Sequence, residues 1–232
     1  TDVYIQWGAD PKKIYRIDHG LVLDNFKIKK RTRIIERIGL DKNSRYVLFV
    51  GRIDPKKGVE LLLHAFSKLI KTHEDVILVL SGTGADYYVN KMKDLVNQLD
   101  VGKNVKFTGF VSEEEKLELM ELTKLFILTS HSDIHPMATV EALAMSVPLI
   151  LTKSCDFPEI DEYKAGILVD EEVDSVHNAL LRMLGDEDIL SEFSQNAKKL
   201  MMDKFLLSKN IKEYEEMFLD VIQKYKLSSR NY

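Results

Sequence analysis

The chain has 232 residues, 45% of them hydrophobic and 30% charged, the ordinary composition of a soluble globular protein with room for one large domain or two small ones. A net charge of −4 provides no whole-chain basic field, which argues against nucleic acid as the default partner. The single cysteine, Cys155, excludes an internal disulfide and suits a reducing compartment. No apolar run reaches the length of a membrane span and no signal peptide is visible, so a cytoplasmic location is expected. The first residue is Thr1 rather than methionine, so the start is expected to be processed or cut from something longer.

In chain order, a basic stretch, Lys27–Arg37 (KIKKRTRIIER), reads as a connecting segment, most commonly solvated, the alternatives being contact with anionic lipid or with a further domain. Strands are then predicted at Tyr46–Gly51, Val76–Gly82, Asn104–Gly109, Leu125–Ser130, Val147–Thr152 and Gly166–Val169. These runs lack apolar/polar alternation, as strands buried on both faces do. Segments of helical period lie between them. In Gly58–Thr72, the residues Val59, Leu62, Leu63, Phe66 and Ile70 fall on one stripe, opposite Glu60, Ser67, Lys68 and Lys71. Lys91–Asp100, Glu113–Lys124 and Pro136–Met145 read similarly, and Asp174–Tyr225 reads as two or three helices with no strand. This alternation predicts a doubly wound, Rossmann-like α/β fold with a parallel sheet.

Ligands of such sheets bind beyond the carboxyl ends of the strands. The first loop there is Gly51-Arg52-Ile53-Asp54-Pro55-Lys56-Lys57-Gly58. Arg52 offers a planar fork and Lys57 a point charge for phosphate oxygens, although an ordinary βα turn with solvated cations has the same residues. The second loop runs from Ser130 into a helix expected to begin at Pro136. The amides of Met137, Ala138 and Thr139 would then be unpaired donors at the positive end of the helix, a site for an anion. Asp133 and Glu141, with seven residues between them, either bracket a hydroxyl-bearing ligand or serve only as a loop acid and a helix acid.

The ordered series of motifs resembles the group-one (retaining, GT-B) glycosyltransferases over nearly the whole chain. GRIDPKKGVELLLHAF at Gly51–Phe66 is similar to that family's G-R-x4-K-G motif. SGTGADYYVNKM at Ser81–Met92 and NVKFTGFVSEEE at Asn104–Glu115 resemble its next two units. DIHPMATVEALAMSVPLI at Asp133–Ile150 resembles its signature of two acids around a helix start, and PEIDEYKAGILV at Pro158–Val169 the segment after the following strand.

The resemblance implies that Arg52 and Lys57 bind the donor diphosphate and stabilise the leaving nucleotide, and that Asp133 contacts the transferred sugar. It implies that Glu141 holds the ribose hydroxyls. The loop backbone from Gly51, and from His135 through Pro136, Met137 and Ala138, would contact diphosphate and sugar, with Gly109, Phe110 and Val111 as the wall for the base. The activity implied is transfer from a nucleotide-diphospho-sugar to a hydroxyl acceptor with retained configuration, in glycan or polysaccharide biosynthesis. No cofactor and no metal are expected, the nucleotide-sugar being a substrate. The alternatives are a non-catalytic nucleotide-sugar-binding subunit and a GT-B sugar-nucleotide epimerase or phosphorylase.

The chain departs from the family pattern at three places: Asp133 stands where glutamate is usual, Ser146 where glycine is common, and Ser154-Cys155-Asp156-Phe157-Pro158 in place of a glycine-rich turn. Residues 1–30, with IYRIDHGLVLDNF, resemble the end of an amino-terminal, acceptor-binding domain and its linker. Residues 31–207 would be the nucleotide-sugar-binding domain, and 208–232 a helix crossing back to the absent domain, which is the expected partner. Two weaker signals remain. His131, Asp133 and His135 resemble a metal site, but Pro136 breaks any shared helical face and loop histidines near the sugar account for them. Gly82-Thr83-Gly84 resembles part of a dinucleotide fingerprint but lacks the third glycine and follows the second strand.

Overall fold

A computed structural model describes residues 2–41, 44–134 and 136–228. They form two compact units: Asp24–Met201, and a second made of Thr1–Leu23 with Met202–Tyr232.

The helices and strands follow in the order α1 (Asp2–Gln6), α2 (Ile34–Arg37), β1 (Arg45–Val50), α3 (Val59–Leu69), β2 (Val76–Ser81), α4 (Asp86–Gln98), β3 (Val105–Gly109) and α5 (Glu113–Leu122). Then come β4 (Thr123–Leu128), α6 (Met137–Ala144), β5 (Leu149–Thr152), α7 (Glu159–Tyr163), β6 (Gly166–Val169), α8 (Val173–Leu184), α9 (Glu187–Lys204) and α10 (Leu207–Ser228). The six strands pair in parallel in the order β3-β2-β1-β4-β5-β6, the doubly wound arrangement expected. The central strands have no polar face because helices cover both sides: Leu48, Phe49, Leu78, Phe126 and Ile127 are all fully buried. Each such side chain contributes about 1.5–3 kcal/mol relative to exposure.

The stripe on α3 is Val59, Leu62, Leu63, Ala65, Phe66 and Leu69, and it packs against α8. Leu69 takes the place expected of Ile70, which is half-buried just past the helix end. β4 starts at Thr123, inside the stretch read as helix, because Tyr46 of β1 pairs with Thr123. α4 starts at Asp86, five residues before the predicted Lys91.

The basic stretch is not merely a solvated connector. Ile34 is fully buried in the single turn of α2, and the segment docks on α5 through three of its acids. Arg37 reaches Glu115 at 3.0 Å, the Thr32 hydroxyl donates to Glu118 at 2.9 Å, and Arg31 pairs with Glu121. These acids are spaced i, i+3 and i+6, so they share one face of the helix. Ser112 caps α5, accepting from the Glu115 amide at 3.2 Å while Glu115 accepts from the Ser112 amide at 2.9 Å.

Within the other unit, Leu21 donates to Phe205 at 2.7 Å and accepts from Leu207 at 3.0 Å, forming an isolated bridge. Tyr15 donates to Asp220 on α10, which Lys224 also pairs at 2.6 Å. No helix among the described residues is long and apolar enough to cross a membrane.

Candidate functional site

The strand order reverses between β1 and β4, so the crevice of this sheet opens between the loops that follow those two strands. The loop after β1 is fixed from one side by β2 and its loop: Gly51 donates to the Ser81 carbonyl at 3.0 Å and Ile53 to the Thr83 carbonyl at 2.9 Å. That contact requires glycine at 82, where a Cβ would lie 1.9 Å from the Gly51 oxygen and φ is +138°. From the other side the loop is fastened to the segment after β4. Thr129 donates to the Gly58 carbonyl at 2.9 Å, and both the Ser130 hydroxyl and the His131 amide donate to Lys56, at 3.0 and 2.8 Å. Gly58 has φ +64°, turning the chain from a short 3-10 turn at Pro55–Lys57 into α3, and a Cβ there would meet the Thr129 oxygen at 1.9 Å.

On this frame the Lys57 ammonium forms an ion pair with Asp133, and their side chains are only 16% and 17% exposed. Two residues predicted from separate motifs, 76 apart in sequence, thus meet at the switch point. Asp133 is held in turn by its amide, which donates to the Ser154 carbonyl at 3.0 Å. The turn at Ser154–Pro158 therefore still supports the loop without its expected glycines, since Asp156 takes the left-handed conformation, φ 45°. Asp tolerates that region better than most residues.

Arg52 is not part of this pair. Its side chain is 76% exposed and rests 3.4 Å from Asp54, so it is free to turn toward a ligand. Pro136 is the N-cap of α6 rather than its first helical residue, and this corrects the donor count. Thr139 spends its amide on the Pro136 carbonyl at 2.9 Å, while the amides of Met137 and Ala138 have no acceptor among the described residues. His135 lies outside the described residues. Gly109 ends β3 with φ +70°, its carbonyl accepting from Gly82 at 3.0 Å; Phe110 beyond it is 78% exposed and Val111 half-buried.

Glu141, in the middle of α6, is 17% exposed and already has a partner that the sequence did not show. Lys116 of α5 places its ammonium 2.9 Å from each Glu141 oxygen. Burial, the largest single influence, pulls the Lys116 pKa down, but the carboxylates of Glu141 and Glu113 outweigh it and the net direction is up. Glu171 was missed as well: it bonds the Ser154 hydroxyl and His131 Nδ1, and these two contacts, in that order of size, hold its carboxyl below the usual range. His131 is thereby anchored to the loop after β6. Cys155 is buried, and burial pushes its thiol up, with the charge of Asp133 adding to the effect.

The switch point, with Lys57, an exposed Arg52 on the same loop and two helix amides without an acceptor among the described residues, has the donors that a phosphate-bearing ligand requires. Residues 30–200 match the family model described as glycosyl transferases group 1. The chain belongs to this family. It is 28% identical over 208 residues to the D-inositol 3-phosphate glycosyltransferase of Gordonia bronchialis, a match covering 85% of this chain and 45% of that protein. It is also 28% identical over 185 residues to an uncharacterized glycosyltransferase of Methanocaldococcus jannaschii, covering 78% and 46% of the two chains. The chain thus spans about half the length of these curated relatives. Among solved structures, Anabaena HepE in complex with UDP superposes with a TM-score of 0.83 over 94% of this chain and 61% of that one, at 20% identity. At that identity the likeness is one of fold, and the Rossmann-like sheet of this group 1 chain matches that of GT-B glycosyltransferase structures.

Proposed function

We propose that this chain binds a nucleotide-diphospho-sugar and presents its sugar for transfer to a hydroxyl acceptor with retained anomeric configuration. The observation that carries the reading is the Lys57–Asp133 pair at the switch point, beside the start of α6, where the amides of Met137 and Ala138 have no acceptor among the described residues. Relatives named as glycosyltransferases and a neighbour solved with UDP support it.

In this reading the diphosphate displaces Asp133 from Lys57, draws in Arg52 and receives the amides of Met137 and Ala138. Asp133 is released toward the sugar hydroxyls, Glu141 takes the ribose, and exposed Phe110 lies against the base. As the bond from the anomeric carbon to the diphosphate breaks, negative charge grows on the leaving oxygens, where these donors stabilise the transition state more than the ground state. The acceptor oxygen attacks on the same face, and its proton passes to the leaving phosphate. The cations take the part a divalent metal would play, so donor binding is proposed to be metal-independent. Catalysis also needs the acceptor hydroxyl held on that face and water excluded, which the donor-side residues do not supply.

Calorimetry with UDP, GDP and ADP in chelator tests the reading. One base should bind best, and Lys57→Ala and Arg52→Ala should each weaken it by about 1.5–3 kcal/mol, the scale of hydrogen bonds to charged groups. Absence of heat for all three at millimolar ligand would refute it.

A further inference from the structure

Lys116 is one of the buried charges of this unit. It sits in the first turns of α5 among the buried residues Leu117, Leu119 and Met120, and is itself only 8% exposed. Its ammonium lies between two carboxylates, 2.9 Å from each oxygen of Glu141 on α6 and 3.0 and 2.9 Å from the oxygens of Glu113 on its own helix. The Glu113 side chain is 79% exposed, whereas that of Glu141 is 17% exposed, so the inner contact is the sheltered one. Removing a lysine and a glutamate from water is expensive, and apolar residues of similar size often serve a buried position as well or better. Packing alone thus gives no reason to prefer a lysine at this position.

What the lysine does is fix a carboxylate. An ionised carboxylate has about four acceptor directions, two on each oxygen. Lys116 uses one direction on each oxygen of Glu141 and leaves one on each, which is the number that two adjacent hydroxyls of a ribose need. We propose that Lys116 is a positioning residue for the sugar of the nucleotide: it orients Glu141 so that both carboxylate oxygens accept from the vicinal diol, making the site discriminate ribose from 2′-deoxyribose. Glu113 holds the ammonium from the solvent side. This rests on the reading that Glu141 receives the ribose, and the experiment separates the two.

Calorimetry would compare UDP, GDP and ADP with their 2′-deoxy counterparts on the wild-type chain, Lys116→Met, Glu141→Gln and the double variant. The wild-type chain should prefer the ribonucleotide about tenfold or more, the size of one lost hydrogen bond to a charged group. Lys116→Met should cut that preference to within about threefold, and the double variant should discriminate no less than Glu141→Gln alone, because the two residues act as one unit. Lys116→Gln, which keeps a donor without the charge, should fall between, and it carries the same test if the methionine variant does not fold. Undiminished preference in Lys116→Met, or an equal loss of affinity for both sugars, would overturn the proposal and leave the donor site standing. Absence of nucleotide binding by the wild-type chain would overturn the donor reading itself, and a wild-type chain indifferent to the 2′-hydroxyl would overturn the role given to Glu141; either result takes this proposal with it.

Discussion

Replacing Asp133 by asparagine should separate the two ends of the donor. In the structure Asp133 pairs with the ammonium of Lys57. A diphosphate that takes Lys57 leaves the Asp133 charge nearby; at roughly 7 Å and an effective dielectric constant of about 40 the repulsion is about 1 kcal/mol. Asp133→Asn removes that charge and the competition for Lys57, so nucleoside diphosphate should bind about fivefold tighter. The full nucleotide-sugar gains the same relief but loses the carboxylate proposed to hold the sugar, a cost of about 1.5–3 kcal/mol. The ratio of the two affinities should therefore shift by about one to two powers of ten against the nucleotide-sugar. Calorimetry with both ligands at two salt concentrations measures this, and the tightening for the diphosphate should shrink as salt rises. If the diphosphate instead loses affinity in step with the nucleotide-sugar, Asp133 serves the nucleotide directly and the division of roles is wrong.

Gly82→Ala would set a methyl group 1.9 Å from the Gly51 oxygen at φ +138°, and a loss of about 3 kcal/mol or more is expected, read as a lower urea midpoint. Wild-type stability in that variant would show that the loop frame is not rigid. Ser146 holds φ 59° without being glycine, so Ser146→Gly should gain about 0.5–1 kcal/mol and raise Tm by about 2 °C; a lower Tm would contradict the strain argument. Arg45 donates to Asp75 at 2.6 and 2.9 Å, and that hydrogen bonding holds the Asp75 carboxyl below its usual range. A depressed carboxyl stabilises above its unfolded value near 4, and that contribution disappears as pH falls through the lower folded value. Arg45→Met should consequently flatten the acid limb of a stability–pH curve below about pH 4, whereas an unchanged limb would show that the pair contributes nothing.

The sheet was legible because its strands are continuous apolar runs, such as VLFV in β1 and LFIL in β4, with no second face to write a pattern for. Their boundaries were less so. Ala85 before α4 has no capping side chain, so nothing in the sequence marked the start at Asp86, and only pairing with β1 draws Thr123 out of the preceding helix. In the site, Lys57 and Asp133 were legible because each belongs to a motif at a strand end. Gly82 stands in a partial dinucleotide fingerprint that its spacing already excludes, and only the structure shows that its task is to let two backbones touch. Lys116 could not be read. Within EEEKLEL it looks like one charge on a solvated helix face, and its spacing to Glu113 fits an ordinary surface pair. Only the folded chain brings it to Glu141 of α6, 25 residues away.

The central claim is that the nucleotide-sugar binds at the switch point between β1 and β4. Following backbone amide chemical shifts of the labelled chain during titration with its preferred nucleoside diphosphate, in chelator, tests it most directly. The largest changes should fall in Gly51–Gly58, Gly109–Val111 and Asp133–Glu141, with Lys116 following Glu141. Changes centred instead at the opposite ends of the strands, or no saturable change at millimolar ligand, would contradict the account.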